Sequence, residues 1–449
     1  MHLPGCLHDI IRVISVTHSR SQLLQFPGQR GETAVYHPRI ADLELEERLQ
    51  ATGAVVVEGP RACGKTELAR QIAASEVLLD VDEDARRAIA VDPTLVLEGD
   101  SPRLIDEWQI EPVIWNHIRR AVDQRQNVGQ FILTGSAVPA DDITRHTGAG
   151  RISRLRLQTM SLKESGYSSG EVSLRDLIEG RFSASIDPGL SIHAIVECLC
   201  NGGWPGYLDL PHQAALNAQR DYLEEIQRVD IVRVDGVRRD PNNVARVIRS
   251  LARNLATTVT ARTLAADAGG ADGPLDDDTV RDYLSALRRL MILKEQSAWS
   301  PHLRSRSILR KSPKRHFTDP SLAVAALGTN SERLLKDFKL LGSLFESLVF
   351  RDLSVYARAI DGTVFHYRDN TNLEVDAIVE IRDGSWCAFE VKLGVGQVDE
   401  AASTLLKFRD RIDLSKCGEP RTLGVIVSTG YGYKRSDGVA VIPIGALGP

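Results

Sequence analysis

The chain has 449 residues, enough for about three domains of ~150 residues each. With 43% hydrophobic and 26% charged residues it has the composition of an ordinary globular protein, and its net charge of −5 excludes a global field that would draw it to nucleic acid, so any such contact has to be local. No stretch approaches the ~18 consecutive apolar residues of a membrane span. The opening MHLPGCLHDIIRVISVTHSR has no apolar run followed by a small-residue cleavage site, and the six cysteines lack zinc-ligand spacing, so a cytoplasmic chain with free thiols and no membrane partner is expected.

Ala54-Val55-Val56-Val57 is a short apolar, β-branched stretch of the kind that forms a buried strand. GPRACGKT (59–66) follows it with the G-x-x-x-x-G-K-[ST] spacing of a phosphate-binding loop. The spacing of Leu68, Ile72 and Ala73 predicts a helix from Thr66 to Ser75. A strand, a glycine loop and a helix N-terminus aim backbone N–H groups and a helix dipole at an anion. Gly59, Pro60, Arg61, Ala62, Cys63, Gly64, Lys65 and Thr66 are therefore expected to hold the phosphates of ATP. Gly64 lets the backbone turn inward, Lys65 reaches the terminal phosphates as a point charge, and the Thr66 hydroxyl takes one position on Mg²⁺.

Hydrolysis needs a metal-holding acid and a base for water, and RLIDEWQ (103–109) offers both. An apolar strand ends in Asp106, placed to hold Mg²⁺ through its waters, and Glu107 follows, placed to orient and deprotonate the attacking water. GQFILTGSA (129–137) is another apolar strand ending in small polar residues, from which Ser136 or Thr134 would contact the γ-phosphate or the water at the carboxyl ends of the strands. In HTGAGRISRLRLQTMSL (146–162), Arg151 is a candidate to stabilise charge on the transferred phosphoryl, in its own subunit or in a neighbouring copy of a homo-oligomer; a plain surface arginine is the alternative.

GPRACGKT, LIDEWQ, LTGSA and GRISRLRLQTMSLKE, in that order and spacing, resemble a bacterial and archaeal family of AAA+-like ATPases that carry a restriction-nuclease-like C-terminal domain of unassigned role. The resemblance covers residues 36 to 449 and leaves 1–35 as an N-terminal extension. It implies an α/β P-loop NTPase core with a parallel sheet at 36–160, with ATP and Mg²⁺ as cofactors and with Asp106 and Glu107 in the roles argued above.

Residues 161–235 read as helical and polar, with a Gly/Pro break at GGWPGY, and are assigned on order alone to a helical lid. Residues 238–316 hold 16 Lys+Arg against 8 Asp+Glu. Helical patterns at Val244–Leu255 and Val259–Ala268, and a third opening with a capping box at Thr279-Val-Arg-Asp282, precede a strand-like Ile292–Trp299, a basic tip SPHLRSRSILRKSPKRH (300–316) and a strand-like HFTD. Three helices and a hairpin with a basic tip describe a winged helix, assigned to 236–330. It would meet double-stranded DNA through the third helix and the tip, or dock on the core through its arginines.

LEVDAIVEIRDGSWCAFEVKL (373–393) gives two alternating strands about Asp383-Gly384, a hairpin signal. Centred there, the turn sets Asp376 within one residue of opposite Glu390, and Glu390 shares a strand face with Lys392. This D…ExK pattern is that of the PD-(D/E)XK nuclease fold, assigned to 331–449. With Glu346, on the apolar stripe of a helix GSLFESLVFRDL (342–353), Asp376 and Glu390 are expected to form a second site for Mg²⁺ or Mn²⁺, with Lys392 beside it. A solvated amphipathic hairpin, and a platform that no longer cuts, stay open beside it. Three functions follow: an ATPase switch coupled to the C-terminal half, an ATP-gated metal-dependent nuclease, and an interaction protein that binds ATP without hydrolysing it.

Overall fold

The computed structural model describes residues 36–136, 147–270, 273–301 and 312–449. The extension expected at 1–35 and most of the basic tip at 300–316 lie outside these residues.

Five strands form the first sheet: β1 (Ala54–Glu58), β2 (Ser75–Leu78), β3 (Arg103–Asp106), β4 (Phe131–Gly135) and β5 (Ile152–Arg156). Their order is β2-β3-β4-β1-β5 and every pairing is parallel. Val56, Ile105 and Leu133 pack with Trp108 and Trp115 on one face, while Val55, Val57, Leu104 and Ile132 pack with Leu68 on the other. Burial on both faces is why these strands read as continuous apolar runs rather than alternating ones. Because β4 lies between β1 and β3, the carboxyl ends of all three stand side by side. The helix after the phosphate loop is Lys65–Arg70, shorter than the expected run to Ser75. Ser75 instead opens β2 opposite Arg103, and the N–H of Ala74 donates to Pro102 O at 2.8 Å, so pairing to β3 overrides the helical spacing.

After a two-residue strand β6 (Val172–Ser173), helices Ile192–Asn201 and His212–Glu225 lead into a π-helical turn, Ile226–Asp230. Helices Pro241–Arg253, Ala261–Asp267 and Asp277–Arg289 follow, then the antiparallel pair β7 (Leu293–Gln296) and β8 (Lys314–Phe317). The third of these helices starts ahead of the expected Thr279 box. Asp276 caps it, accepting from the N–H groups of Asp278 and Thr279 at 2.9 and 3.2 Å, which satisfies donors that a start at Thr279 would leave bare.

A long helix, Phe338–Arg358, precedes β9 (Gly362–Arg368), β10 (Glu374–Ile381), β11 (Trp386–Lys392), β12 (Thr422–Val427), β13 (Tyr433–Lys434), β14 (Ala440–Pro443) and β15 (Leu447–Gly448). Six of these strands form a mixed sheet, β13-β14-β12-β11-β10-β9, while β15 pairs with β6. The hairpin turn falls at the expected place, with Gly384 at φ 85°, a conformation that L side chains rarely adopt. Helix Val398–Arg411 covers one face of the sheet with Ala402, Leu405 and Phe408. The other face belongs to a continuous core in which Leu344 and Leu348 meet Leu251, Leu287, Phe317 and Leu322. The middle and C-terminal regions are thus packed on one another. No helix among the described residues is long and apolar enough to cross a membrane.

Candidate nucleotide site and C-terminal carboxylate cluster

The phosphate loop turns back between β1 and its helix because two positions tolerate no side chain. A Cβ on Gly59 would meet Leu157 O at 2.5 Å, and Gly64 sits at φ 96°. Arg39, which the sequence reading did not single out, braces the loop from behind. Its guanidinium donates to Cys63 O at 2.9 Å and Gln158 O at 2.7 Å and pairs with Glu164 at 3.1 Å. It precedes the first recognisable motif, and its partners lie up to 125 residues away, so no local signal marks it.

Lys65 is 5% exposed and donates to Gly59 O and Pro60 O at 3.2 and 2.9 Å. No carboxylate pairs with it among the described residues. Across the loop, Asp106 is 7% exposed and its Oδ1 accepts from the Thr66 hydroxyl at 2.9 Å and from the Thr134 hydroxyl. Burial pushes its carboxyl above the usual range, against those two hydrogen bonds, and nearby Glu107 and Asp80 add to the rise. A buried ammonium with only carbonyl partners and a buried carboxylate with only hydroxyl partners each lack a counter-ion, which is costly. A triphosphate with a divalent cation supplies both, and Thr66 and Asp106 have the oxygen donors that Mg²⁺ takes.

Glu107 sits at φ 52°, a left-handed conformation uncommon for its residue type. Its two carboxylate oxygens accept from the Ser136 hydroxyl at 3.0 Å and from the Gln109 side-chain amide. Ser136 and Thr134, both at the end of β4, thus hold Glu107 and Asp106 respectively. Gln109 was missed; it lies in the quoted LIDEWQ, but its role shows only once the chain turns back on itself after Glu107. Arg61 pairs with Asp230 of the π-helical turn at 2.9 Å. Pro60, Ala62 and Cys63 complete the loop between the two glycines.

Arg151 is not brought to this site in its own chain. Its carbonyl accepts from Ala54 N–H at the opening of β1, and its guanidinium pairs with Asp123 at 2.8 Å. The phosphate loop leaves from the other end of β1, about 13 Å away at ~3.3 Å per residue. The cis role expected for Arg151 therefore fails on geometry. Arg154, three residues on, pairs instead with buried Glu58 beside the loop.

The C-terminal cluster gathers Glu346, Asp376, Glu390 and Lys392, as expected, and adds two residues that the sequence reading missed. Lys314 Nζ, on β8, lies 2.7 Å from Glu346 Oε1, 2.7 Å from Glu374 Oε1 and 3.3 Å from Asp376 Oδ1. Asp376 Oδ2 accepts from Val391 N–H at 3.0 Å and lies 3.6 Å from Lys392 Nζ, which is 2.7 Å from Glu390 Oε2. Asp376 lies one step from the pair Ala377 and Phe389 on the side away from the turn, so the hairpin register sets it beside Glu390. A bulge in β10 between Val375 and Ile378 loosens the pairing to β9 there, and buried Gln296 bonds Asp376 O and Phe365 O at 2.8 and 2.9 Å. Burial and Asp376 push Glu346 up to about 7 and Glu390 up to about 8. Burial likewise works against ionised Asp376, but Lys314 and Lys392 outweigh it and hold that carboxyl below the usual range. The second divalent-metal site expected from Glu346, Asp376 and Glu390 is not what the cluster presents. An ammonium stands among those carboxylates, and no group of three or more His, Cys, Asp or Glu among the described residues is arranged to hold a metal ion.

The basic residues expected to face DNA are largely spent on internal acids. Arg281 pairs with Asp277 and Asp278, Arg288 with Glu295, Arg289 with Asp235, and Arg239 with Asp235 and Asp282.

Three segments match family models. Residues 51–166 match an AAA domain, 192–333 a domain of unknown function (DUF8612), and 341–447 another domain of unknown function (DUF4143). Among curated proteins, uncharacterized proteins Mb2031c of Mycobacterium bovis and Rv2008c of Mycobacterium tuberculosis are each 25% identical over 371 residues, spanning 82% of this chain and 76% of theirs. Among solved structures, the Walker-type ATPase PABY2304 of Pyrococcus abyssi is similar with a TM-score of 0.40 and 12% identity, over 64% of this chain and 94% of that one. The AAA-domain match falls on the segment that carries Lys65, Thr66, Asp106 and Glu107, and with the parallel sheet it supports an AAA-like P-loop ATPase.

Proposed function

We propose that the protein is an Mg²⁺-dependent ATPase that works as a nucleotide switch. The observation that carries this reading is the pair of buried, uncompensated charges, Lys65 and Asp106, on either side of the phosphate loop. The amides of residues 59–66 and the Lys65 ammonium bind the phosphates of ATP, and Thr66 and Asp106 hold the cation. The bound Mg²⁺ would neutralise charge on the β- and γ-phosphates. Glu107, fixed by Ser136 and Gln109 in its left-handed turn, orients the attacking water and takes its proton. Phosphate release by the wild type and by Glu107→Gln tests this.

The route outward starts at Arg61, which ties the loop to Asp230. It ends on a buried ion cluster. Arg351 pairs with Asp319 at 3.0 Å and Asp352 at 2.8 Å, Asp319 accepts from Gly203 N–H, and Asp352 accepts from Leu162 N–H, each at 3.0 Å. One arginine of the C-terminal helix thereby ties together backbone from the end of the ATPase segment, the helical region and the strand pair. We assign 161–235 to a lid and 236–330 to a winged helix, whose three helices and hairpin are in the corresponding order.

A second reading, contact with DNA, is favoured by one cleft. About 610 Å³ in volume, it is lined by Arg220, Arg228, Arg246 and Arg249 and by Glu224, which pairs with Arg228 at 3.0 Å, while Arg249 has no acidic partner among the described residues. DNA contact is assigned to this cleft rather than to the helix Asp277–Arg289, whose arginines face acids. Band shift of duplex DNA across a salt series tests it.

A further inference from the structure

The C-terminal cluster has the carboxylates of a divalent-cation site and a cation already in it. Glu346 comes from the long helix, Glu374 and Asp376 from one face of β10, and all three direct an oxygen at Lys314 Nζ within 2.7 to 3.3 Å. A magnesium or manganese ion on the same oxygens would lie ~2.0–2.2 Å from each. It would then occupy the space of the ammonium. The Lys314 side chain is 2% exposed.

Its strand is equally fixed. His316, one face-repeat along β8, is fully buried between Ser347 Oγ at 3.0 Å and Gln296 Oε1 at 3.1 Å, and its ring stacks on Phe350 at 4.2 Å. Gln296, on the partner strand β7, is itself anchored on the backbone of β9 and β10. The hairpin that delivers Lys314 is tied to the C-terminal sheet through Gln296 and to the long helix through His316. The remaining Asp376 oxygen is taken by Val391 N–H and Lys392.

We infer that Lys314 is a built-in replacement for the divalent cation of this centre, so that the D…ExK constellation acts as a metal-free tie between the β7–β8 hairpin and the C-terminal sheet and does not cut nucleic acid. Neutralisation that a hydrolytic centre obtains from a metal is here supplied covalently. Three carboxylate oxygens converge on the ammonium in place of a metal ion, and the chemistry of metal-activated water is lost with the metal.

The test is Mn²⁺ binding followed by electron paramagnetic resonance on the full chain without nucleotide, in a Lys65→Ala background that disables the phosphate loop. This readout does not depend on ATP hydrolysis, so its failure and that of the ATPase reading are separable. The expected result is no bound Mn²⁺ in that background and no difference on adding Asp376→Asn. Replacing Lys314 with Met, which keeps length and removes charge, should create one Mn²⁺ site per chain, and Lys314→Met with Asp376→Asn should lose it. Circular dichroism checks that each variant is folded. Two results overturn the inference: Mn²⁺ bound with Lys314 intact and released by Asp376→Asn, or a folded Lys314→Met chain that takes up no Mn²⁺. Should the Lys314→Met chain not fold, the comparison with Lys314 intact still decides. Plasmid nicking by the wild type with Mn²⁺, abolished by Asp376→Asn, would contradict it as well.

Discussion

Arg61 of the phosphate loop and Asp230 of the π-helical turn form an ion pair at 2.9 Å, with the arginine side chain 48% exposed and the acid 6%. The Tyr222 hydroxyl donates to Arg61 O at 3.3 Å, so two neighbouring helical elements hold the residue that ATP would approach. Single π-helical turns within helices are frequent at functional sites. Because the pair is half exposed, it contributes at most ~1 kcal/mol, roughly a fivefold change in a local opening equilibrium. Arg61→Ala is expected to speed hydrogen exchange across residues 222–233 by about that factor without nucleotide. Unchanged exchange there would detach the loop from these helical elements.

Arg351 carries a heavier role. It is fully enclosed between Asp319 and Asp352, both 0% exposed. Removing it leaves two buried carboxylates unpaired, which costs about 3–5 kcal/mol. Arg351→Met should lower the stability to urea by that amount, and a loss below about 1 kcal/mol would show that the cluster is not the tie between regions described above.

The raised carboxyls of the C-terminal cluster give a pH signature. Glu346 and Glu390 move from an ordinary 4.5 to about 7 and about 8, driven by burial and then by Asp376. The folded state therefore binds protons more tightly than the unfolded state. Their contribution to stability is fully present below about pH 4.5 and is lost as pH rises through 7 and 8. Glu390→Gln does not titrate, so its stability relative to wild type should climb from pH 5 to pH 8.5. Urea midpoints measured at half-unit steps check this, and parallel profiles would contradict the shift.

For DNA, the paired arginines and the arginine-lined cleft predict opposite outcomes. Arg246→Ala with Arg249→Ala should weaken duplex binding and reduce the salt slope by about 2, at ~0.9 per phosphate contact. Arg288→Ala, which only releases Glu295, should leave both unchanged. Equal losses from the two variants would return the contact to the helix Asp277–Arg289.

What could be read from the sequence follows the range of each interaction. The phosphate loop, the buried strands and the β10–β11 hairpin rest on local sequence pattern, so Thr66 and Asp106 meet at one site and Asp376 and Glu390 at another, much as their spacing implies. Helix ends were harder: Asp276 and Thr279 compete for one N-terminus, and only the backbone decides between them. Lys314 was read as one more charge in a basic run, because its three carboxylate partners lie 32 to 62 residues downstream and nothing local sets it apart from Arg310 or Lys311. Arg151 shows the converse, a suggestive local pattern that the parallel register carries to the wrong end of β1.

The central claim is that ATP is bound at 59–66 and that Glu107 serves as base for its hydrolysis. Phosphate release and nucleotide binding measured together on the wild type and on Glu107→Gln test it most directly. The account predicts unchanged Mg²⁺-dependent binding and a rate lowered roughly 10²- to 10⁴-fold in the variant; equal rates in the two proteins would contradict it.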